Sequence, residues 1–174
     1  MANVWRIHLI KDIPTSPNYG GYCLRKRVAA MGWILGKYND DIKAGKIKIE
    51  TYSDYATYAA KCFNKFDDVR RLAEDVKPGD YIWTCVDKGY YIGKVSDRSH
   101  YRYNFSDEAI KYRACNELTD IHWQFVGTKK QIDERILKRM ERGQTFCRIF
   151  AEDNPNLAWV LEYTEKRYEQ SRRI

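Results

Sequence analysis

The sequence predicts an α+β fold that forms one domain over residues 1–174. Two β-rich segments, YIWTCV and YYIGKV, are separated by the turn residues DKG, and this pattern is typical of a β-hairpin. Residues 53–76 instead repeat apolar side chains every three to four positions, which predicts a long helix capped by Ser53. A hydrophobic content of 44% with 32% charged residues indicates a chain that folds around its own core.

The segment before the long helix contains two predicted strands and a short helix. Residues 4–10, VWRIHLI, are β-branched and aromatic, so they predict the first strand, and the prolines and glycines after them predict a loop. Good helix formers in YCLRKRVAA predict a short helix. The following MGWILGKY predicts a second strand, with Gly32 and Trp33 at its beginning.

The hairpin is followed by one more helix and a last strand. Ser106 can cap a short helix over SDEAIKYRACNEL, and Gly93 within the hairpin marks a bulge or a close backbone approach. The segment DIHWQFVG alternates, so Ile121, Trp123 and Phe125 are expected on one face. Together these strands make a set large enough for a small barrel.

Residues 128–174 predict a helix–strand–helix extension to a core at about residues 4–127. Thr128 and Gln131 form a capping box, and the helix after them carries one apolar stripe, Ile132, Ile136 and Met140. QTFCRIF predicts a short strand, and NLAWVLEYTEKRYEQSRR predicts a terminal helix.

Composition indicates a cytoplasmic protein without a membrane segment. The chain has no run of about 18 apolar residues, and its first residues lack the basic and long apolar regions of a signal peptide. Its five cysteines are odd in number, widely spaced and without a C-x-x-C pair, which favours a reducing compartment.

The net charge of +7 favours a polyanionic partner, and nucleic acid, either DNA or RNA, is the most obvious one. The aromatic fraction of 14% includes fourteen tyrosines and five tryptophans. It adds a second indication, because unpaired bases are often held by stacking on aromatic rings. Charge and rings together therefore predict a nucleic-acid-binding protein.

The order of these elements resembles the PUA-like superfamily, particularly its EVE-type and YTH-type branches, over roughly residues 4–127. The matching features are the strand VWRIHLI, a GW strand, a long helix, and then KPGDYIWT, YYIGKV and IHWQFVG. The resemblance implies a strongly bent mixed β-barrel of five to six strands, flanked by helices and followed by the C-terminal helical extension. It also implies an aromatic pocket that reads one flipped, often modified base.

The same resemblance implies residues for the base pocket. Trp33, after Gly32, matches the tryptophan that forms one wall, and Trp83 is similar to the tryptophan of the second wall. Lys11 and Asp12 stand where polar groups read the base edge in such domains.

Tyr91 is a further candidate for a pocket wall. Consecutive strand residues point to opposite faces, so only one of Tyr90 and Tyr91 can point inward. Core packing is the alternative role for each of these rings, and we assign three other tryptophans to the core: Trp5, Trp123 and Trp159.

Basic residues near the pocket would hold phosphate groups. Arg98 and Arg102 follow the hairpin directly, and Arg25 and Lys26 lie in the short helix, so these four are the predicted phosphate-binding residues. The basic residues after position 128 alternate with acidic ones, which is typical of a solvated helical face.

The sequence contains no motif for catalysis. Its three histidines do not stand at metal-ligand spacing, and neither a phosphate-binding loop nor a nucleophile motif is present, so we expect no cofactor, no metal and no enzymatic activity. A weaker alternative is a ribonuclease-like enzyme with a nucleophile built from Cys85 or Cys115 and His122.

An alternative of another class is a stand-alone interaction or inhibitor module that acts on a nucleic-acid-processing or defence enzyme. If the protein instead reads a base, a protein partner would supply the effector activity, because no nuclease or helicase segment accompanies the predicted domain.

Overall fold

The structure, a computed structural model, describes residues 1–9, 18–141 and 143–173. Helices and strands alternate along these residues, so the expectation of a mixed fold is confirmed. The strands are β1 (Val4–Ile7), β2 (Ala29–Met31), β3 (Tyr81–Val86), β4 (Gly89–Val95), β5 (Tyr101–Tyr103), β6 (Asn116–Leu118), β7 (Ile121–Thr128) and β8 (Phe146–Arg148). The α-helices are α1 (Tyr19–Lys26), α2 (Asn39–Lys43), α3 (Tyr52–Ala59), α4 (Asp67–Arg70), α5 (Asp107–Lys111), α6 (Glu134–Met140) and α7 (Leu157–Arg172).

The strands form a five-stranded sheet in the order β7-β4-β3-β1-β8 and a three-stranded sheet in the order β2-β6-β5. In the larger sheet β1 runs parallel to β3, and the other neighbours are antiparallel. The smaller sheet is entirely antiparallel. The larger sheet is therefore mixed, as the sequence predicts.

The predicted closed barrel is wrong for the part of the chain that the structure describes, where the strands form two separate sheets. Strand β8 forms one edge of the larger sheet. Helix α7 covers the opposite edge, β7, where Tyr168 Oη donates to the carbonyl of His122 at 3.1 Å and Arg167 donates to the carbonyl of Val126. Side chains on the edge carbonyls leave β7 unable to close against another strand.

The predicted hairpin is confirmed as β3 and β4. Its turn consists of Asp87 and Lys88, whose φ angles of 49° and 66° are those of the two-residue turn that suits the strand twist. The close approach predicted at Gly93 is also confirmed, because a Cβ atom there would lie 2.8 Å from Cε3 of Trp123. The register shift lies elsewhere, between Tyr90 and Tyr91.

Each face of the larger sheet is covered by its own hydrophobic core. Trp5, Ile7 and Ile82 contribute to the first core, which lies between this sheet, α1, α3 and the smaller sheet. Trp83 and Ile92 contribute to the second core, which lies under α6 and α7. The predicted stripe Ile132, Ile136 and Met140 is buried in this second core, so residues 128–174 form a layer of the fold.

The second predicted strand, over residues 31–38, is wrong. Strand β2 ends at Met31, and Trp33 has a φ of 51°, in the left-handed region that interrupts an extended strand. The residues after it form a 3-10 turn, Gly36–Tyr38. Trp33, on which the predicted base pocket depends, therefore lies in a loop.

The long helix predicted over residues 53–76 is interrupted. Helix α3 ends at Ala59 and α4 begins at Asp67, continuing as a π-helical turn, Arg71–Asp75. The cap is Thr51, which exchanges hydrogen bonds with Asp54 in a capping box. The break lets Phe66 pack edge-on against Tyr55 at 6.2 Å, under the loop that carries Trp33.

Arg6, on β1, carries an uncompensated positive charge inside the fold. Its side chain is 1% exposed, and its two terminal nitrogens have no hydrogen-bond partner among the described residues. Trp83 and Cys147 are its neighbours across the sheet. A buried charge without a partner costs stability, because neither water nor an opposite charge solvates it.

We expect Arg6→Met to raise the free energy of unfolding by about 1–2 kcal/mol, because methionine fills similar space without the charge. Urea unfolding measures this change. The control is Arg148→Met on the neighbouring strand, where the arginine is paired with Glu152 and removal should not stabilise. A loss of stability in Arg6→Met would contradict the inference that the buried charge of Arg6 destabilises the fold.

Candidate functional site

A cavity of about 530 Å³ opens where α1, β2 and the end of β1 meet. Its volume lies within the range of about 300–1,000 Å³ that is typical of small-molecule sites. Four aromatic side chains line it, Tyr19, Trp33, Phe63 and Tyr112. The polar lining residues are His8, Arg113 and Thr145, and no aspartate or glutamate is among the described residues of the wall. The cavity thus favours a flat, uncharged or electron-rich group.

Two backbone loops in strained conformations form part of this wall. Trp33 and Arg113 have φ angles of 51° and 49°, in the left-handed region that disfavours residues with a side chain. The loops lie close together, because a Cβ atom at Gly32 would lie 3.7 Å from the carbonyl oxygen of Arg113. Such strain persists only where surrounding structure enforces it, and it is concentrated at functional sites.

Hydrogen bonds hold Trp33 in this conformation. Its indole Nε1 donates to the carbonyl of Lys65 at 3.0 Å, and Tyr55 Oη donates to the carbonyl of Trp33 at 2.8 Å. Asn116 Nδ2 donates to the carbonyl of the preceding glycine, and the Asn116 side chain is itself oriented by a 2.7 Å bond from Tyr101 Oη. The Trp33 ring is thereby fixed while it stays only half-buried.

The tyrosines beneath the loop act as neutral hydrogen-bonding groups. Burial raises the pKa of Tyr55, Tyr101 and Tyr103, so each hydroxyl keeps its proton at neutral pH. Tyr103 Oη accepts from the backbone N–H of Leu35 at 2.8 Å. The cluster therefore supports both ends of the segment 33–35.

The buried thiols near the cavity are not activated. Burial raises the pKa of Cys23, a lining residue, to about 12, and it does the same for Cys115. A thiol rather than a thiolate stands at both positions at neutral pH, and the thiolate is the nucleophilic form. The alternative of a nucleophile built on Cys115 therefore gains no support.

Three cations surround the Tyr112 side of the cavity. The guanidinium of Arg25 lies 5.8 Å from the centre of the Tyr112 ring, Lys111 Nζ lies 5.7 Å from it, and Arg113 follows in the wall. None of the three forms an ion pair with another described residue. Lys26, by contrast, is paired with Glu108 at 2.8 Å. Arg25 is thus the better placed of the two predicted phosphate-binding residues of α1.

Trp83 is wrong as a pocket wall. It is 0% exposed, lies in the second core, stacks on Tyr163 and donates from Nε1 to Thr164 Oγ1 at 3.0 Å. Trp33 lines the cavity on the other side of the sheet, against the first core, so the two indoles cannot enclose one ligand. Of the tryptophans assigned to the core, Trp5 is confirmed, whereas Trp123 and Trp159 are only partly buried.

The remaining base-binding candidates are not part of the cavity wall. Tyr91 packs edge-on against Phe125 at 5.5 Å and does not line the cavity, although Tyr90 and Tyr91 point to opposite faces as predicted. Lys11 and Asp12 lie outside the described residues. Trp33 is therefore the one described member of the predicted base-binding set that lines the cavity.

Arg102 and Arg98 differ in what they are able to bind. Arg102 donates from two nitrogens to Glu117, at 2.6 and 3.1 Å, and Glu117 is 0% exposed. Arg102 is therefore the counterion of a buried carboxylate, and phosphate binding by its remaining donors stays a prediction. Arg98 is 76% exposed and pairs with Asp120 at 3.3 Å.

Most of the residues that line the cavity were not predicted from the sequence. Tyr112 and Arg113 follow α5, Phe63 follows α3, and Tyr19 begins α1. No spacing in the sequence connects these four positions, because the three-dimensional packing of separate loops brings them together. The segment KYRAC, with an aromatic and a basic residue after a capped helix, was the nearest signal.

No protein-family model, no curated protein and no solved structure matches this chain. In the part that the structure describes, no helix combines the length and apolarity needed to cross a membrane. The described histidine, cysteine and acidic side chains form no group that could hold a metal ion. The cavity and its contacts are therefore the basis for any functional assignment.

We expect Tyr55→Phe to lower the free energy of unfolding by about 1 kcal/mol, because it removes the hydrogen bond to the Trp33 carbonyl without changing the ring. Tyr58→Phe on the same helix is the matched control, since the hydroxyl of Tyr58 has no hydrogen bond among the described residues. Urea unfolding measures both variants. Equal stability of Tyr55→Phe and the wild type would show that this bond does not hold the loop.

Proposed function

We propose that the protein binds single-stranded nucleic acid and accepts one extruded base in the cavity beside Trp33. The observation that carries this proposal is an aromatic cavity of about 530 Å³ with no acidic side chain in its described wall and, next to it, cations that form no ion pair with a described residue. Stacking on aromatic rings offsets the loss of base stacking, and each stacked base contributes about 1–3 kcal/mol.

The fixed orientation of Trp33 supports a binding role. A ring that is held before the ligand arrives loses little conformational freedom on binding. The indole N–H and the backbone carbonyl of Trp33 are both already hydrogen-bonded, so the ring face is what remains for a ligand. Tyr19, Phe63 and Tyr112 replace Trp83 as the partners of Trp33 in this proposal.

Membership of the PUA-like superfamily is part of the proposal. The parallel pair β1 and β3, the hairpin after it and the place of Trp33 in a cavity support it. The two open sheets differ from the barrel that the resemblance implied. This membership would favour a modified base as the ligand. The cavity volume that remains beside the base would accommodate the chemical group that the modification adds.

A cytoplasmic site of action and a separate effector protein complete the proposal. All five cysteines are free, and a reducing compartment keeps thiols in that state. Reading one base supplies recognition without chemistry, and the effector activity would then belong to a partner.

A protein-interaction or inhibitor module is the second candidate function. Phe125 favours it, because its ring is 50% exposed and rests on Tyr91 at the edge of the larger sheet. Purification with and without nuclease treatment separates the two proposals. One stoichiometric protein partner that remains after nuclease treatment would favour the module, and nucleic acid that co-purifies without that treatment, seen as raised absorbance at 260 nm, would favour the base reader.

We expect Trp33→Ala to weaken binding of a fluorescein-labelled, eight-nucleotide single-stranded RNA or DNA by about 10- to 100-fold, because the base loses its stacking partner. Fluorescence anisotropy measures the affinity. Phe125→Ala is the control, since it removes an exposed ring that does not line the cavity. Equal affinities of Trp33→Ala, Phe125→Ala and the wild type for both strands would reject the base pocket.

A further inference from the structure

A second cationic site lies at the other side of the C-terminal end of α1. It consists of Arg27, Arg98, Asp120 and His122, which we call the Asp120 cluster. Arg27 Nη2 lies 2.9 Å from Asp120 Oδ1, and Arg98 Nε lies 3.3 Å from Asp120 Oδ2. His122 Nε2 is 2.8 Å from Arg27 Nη2 and 3.6 Å from Asp120 Oδ1. One carboxylate thus orients two guanidinium groups and an imidazole.

The cluster has more positive charge than its carboxylate can neutralise. The Ser96 hydroxyl, which donates to Asp120 at 2.5 Å, and the nearby arginines lower the pKa of Asp120, so this carboxylate stays ionised. The side chains of Arg27 and Arg98 remain 52% and 76% exposed. A guanidinium has five N–H donors, and the contacts within the cluster leave several of them available to an anion.

Neighbouring residues extend the positive surface. Lys94 is directly opposite His122 in the pairing of β4 with β7, and its Nζ lies 6.0 Å from the centre of the Tyr168 ring. Lys94 makes no ion pair with another described residue. Arg172 also lies near Tyr168, but its charge is offset by Glu169, which it pairs with at 3.4 Å.

Helix α1 connects this cluster to the cavity. Arg25 lies beside the Tyr112 ring at the cavity, and Arg27 is the residue that ends the helix, held by bonds from its N–H to the carbonyls of Cys23 and Leu24. Side chains two positions apart on a helix point to different sides, so Arg25 is directed to the cavity and Arg27 to the Asp120 cluster.

We propose that the Asp120 cluster binds a backbone phosphate of the strand whose base occupies the cavity. This inference rests on the proposed function and adds a direction, since the strand then runs from Tyr112 past the end of α1 toward β7. Arg27 and Arg98 donate to the phosphate oxygens, and Asp120 orients both side chains for that contact.

The test compares Arg27→Gln/Arg98→Gln with Lys129→Gln/Lys138→Gln. Both pairs remove two exposed, ion-paired positive charges, so the net charge changes equally. Affinity for the labelled RNA and DNA octamers is measured by anisotropy between 50 and 300 mM salt. Each phosphate contact on a single strand contributes about 0.7 to the slope of log affinity against log salt. Because both arginines contact one phosphate, we expect the arginine pair to reduce the slope by about 0.7 and the lysine pair to leave it unchanged.

Arg98→Gln alone provides a second variant that should fold normally, because this side chain is 76% exposed. It should reduce the slope by a smaller amount than the double variant, since Arg27 remains at the same phosphate. Slopes for the arginine variants equal to that of the lysine pair would overturn the inference, even where Trp33→Ala weakens binding and so supports the base pocket. A reduced slope with no effect of Trp33→Ala would keep the phosphate site and reject the pocket. Absence of binding to both octamers would overturn both proposals.

Discussion

Hydrogen bonds from Asn116 and Tyr55 to the backbone of Gly32 and Trp33 are the interaction on which the cavity depends. They join the central strand of the smaller sheet and helix α3 to a loop that would otherwise avoid a left-handed conformation. Both donors are 0% exposed, so water does not compete for these bonds. The energetic cost of the strained backbone is offset inside the fold, and the Trp33 ring remains available at the cavity.

The layered arrangement of the fold explains why this cavity lies on one side of the larger sheet. Helices α6 and α7 pack on one face, with Trp83 buried beneath them. The opposite face is covered by shorter pieces, and the cavity opens where α1, the Trp33 loop and the loop after α5 meet. Helices α6 and α7 therefore pack on one face of the sheet, while loops on the other face line the cavity.

Local features of the fold could be predicted from the sequence, and features that depend on distant packing could not. The hairpin, the Ser106 cap and the stripe from Ile132 to Met140 are determined by neighbours in the chain. The role of Trp83 was wrong because β3 is buried on both faces, so alternation does not reveal which face a residue occupies. The periodicity of residues 53–76 likewise continues through a break that tertiary contacts impose. For the site, the resemblance led to Trp33, but Tyr112 and Arg113 become its neighbours only through folding.

We propose that the base contacts the Trp33 ring and none of the buried indoles. Each of the five tryptophans gives one indole N–H signal in a ¹H–¹⁵N spectrum, and Trp33→Phe identifies the signal of Trp33. Titration with the single-stranded octamer should shift the Trp33 signal and leave that of Trp83 in place. An unchanged Trp33 signal at saturating octamer would contradict the account.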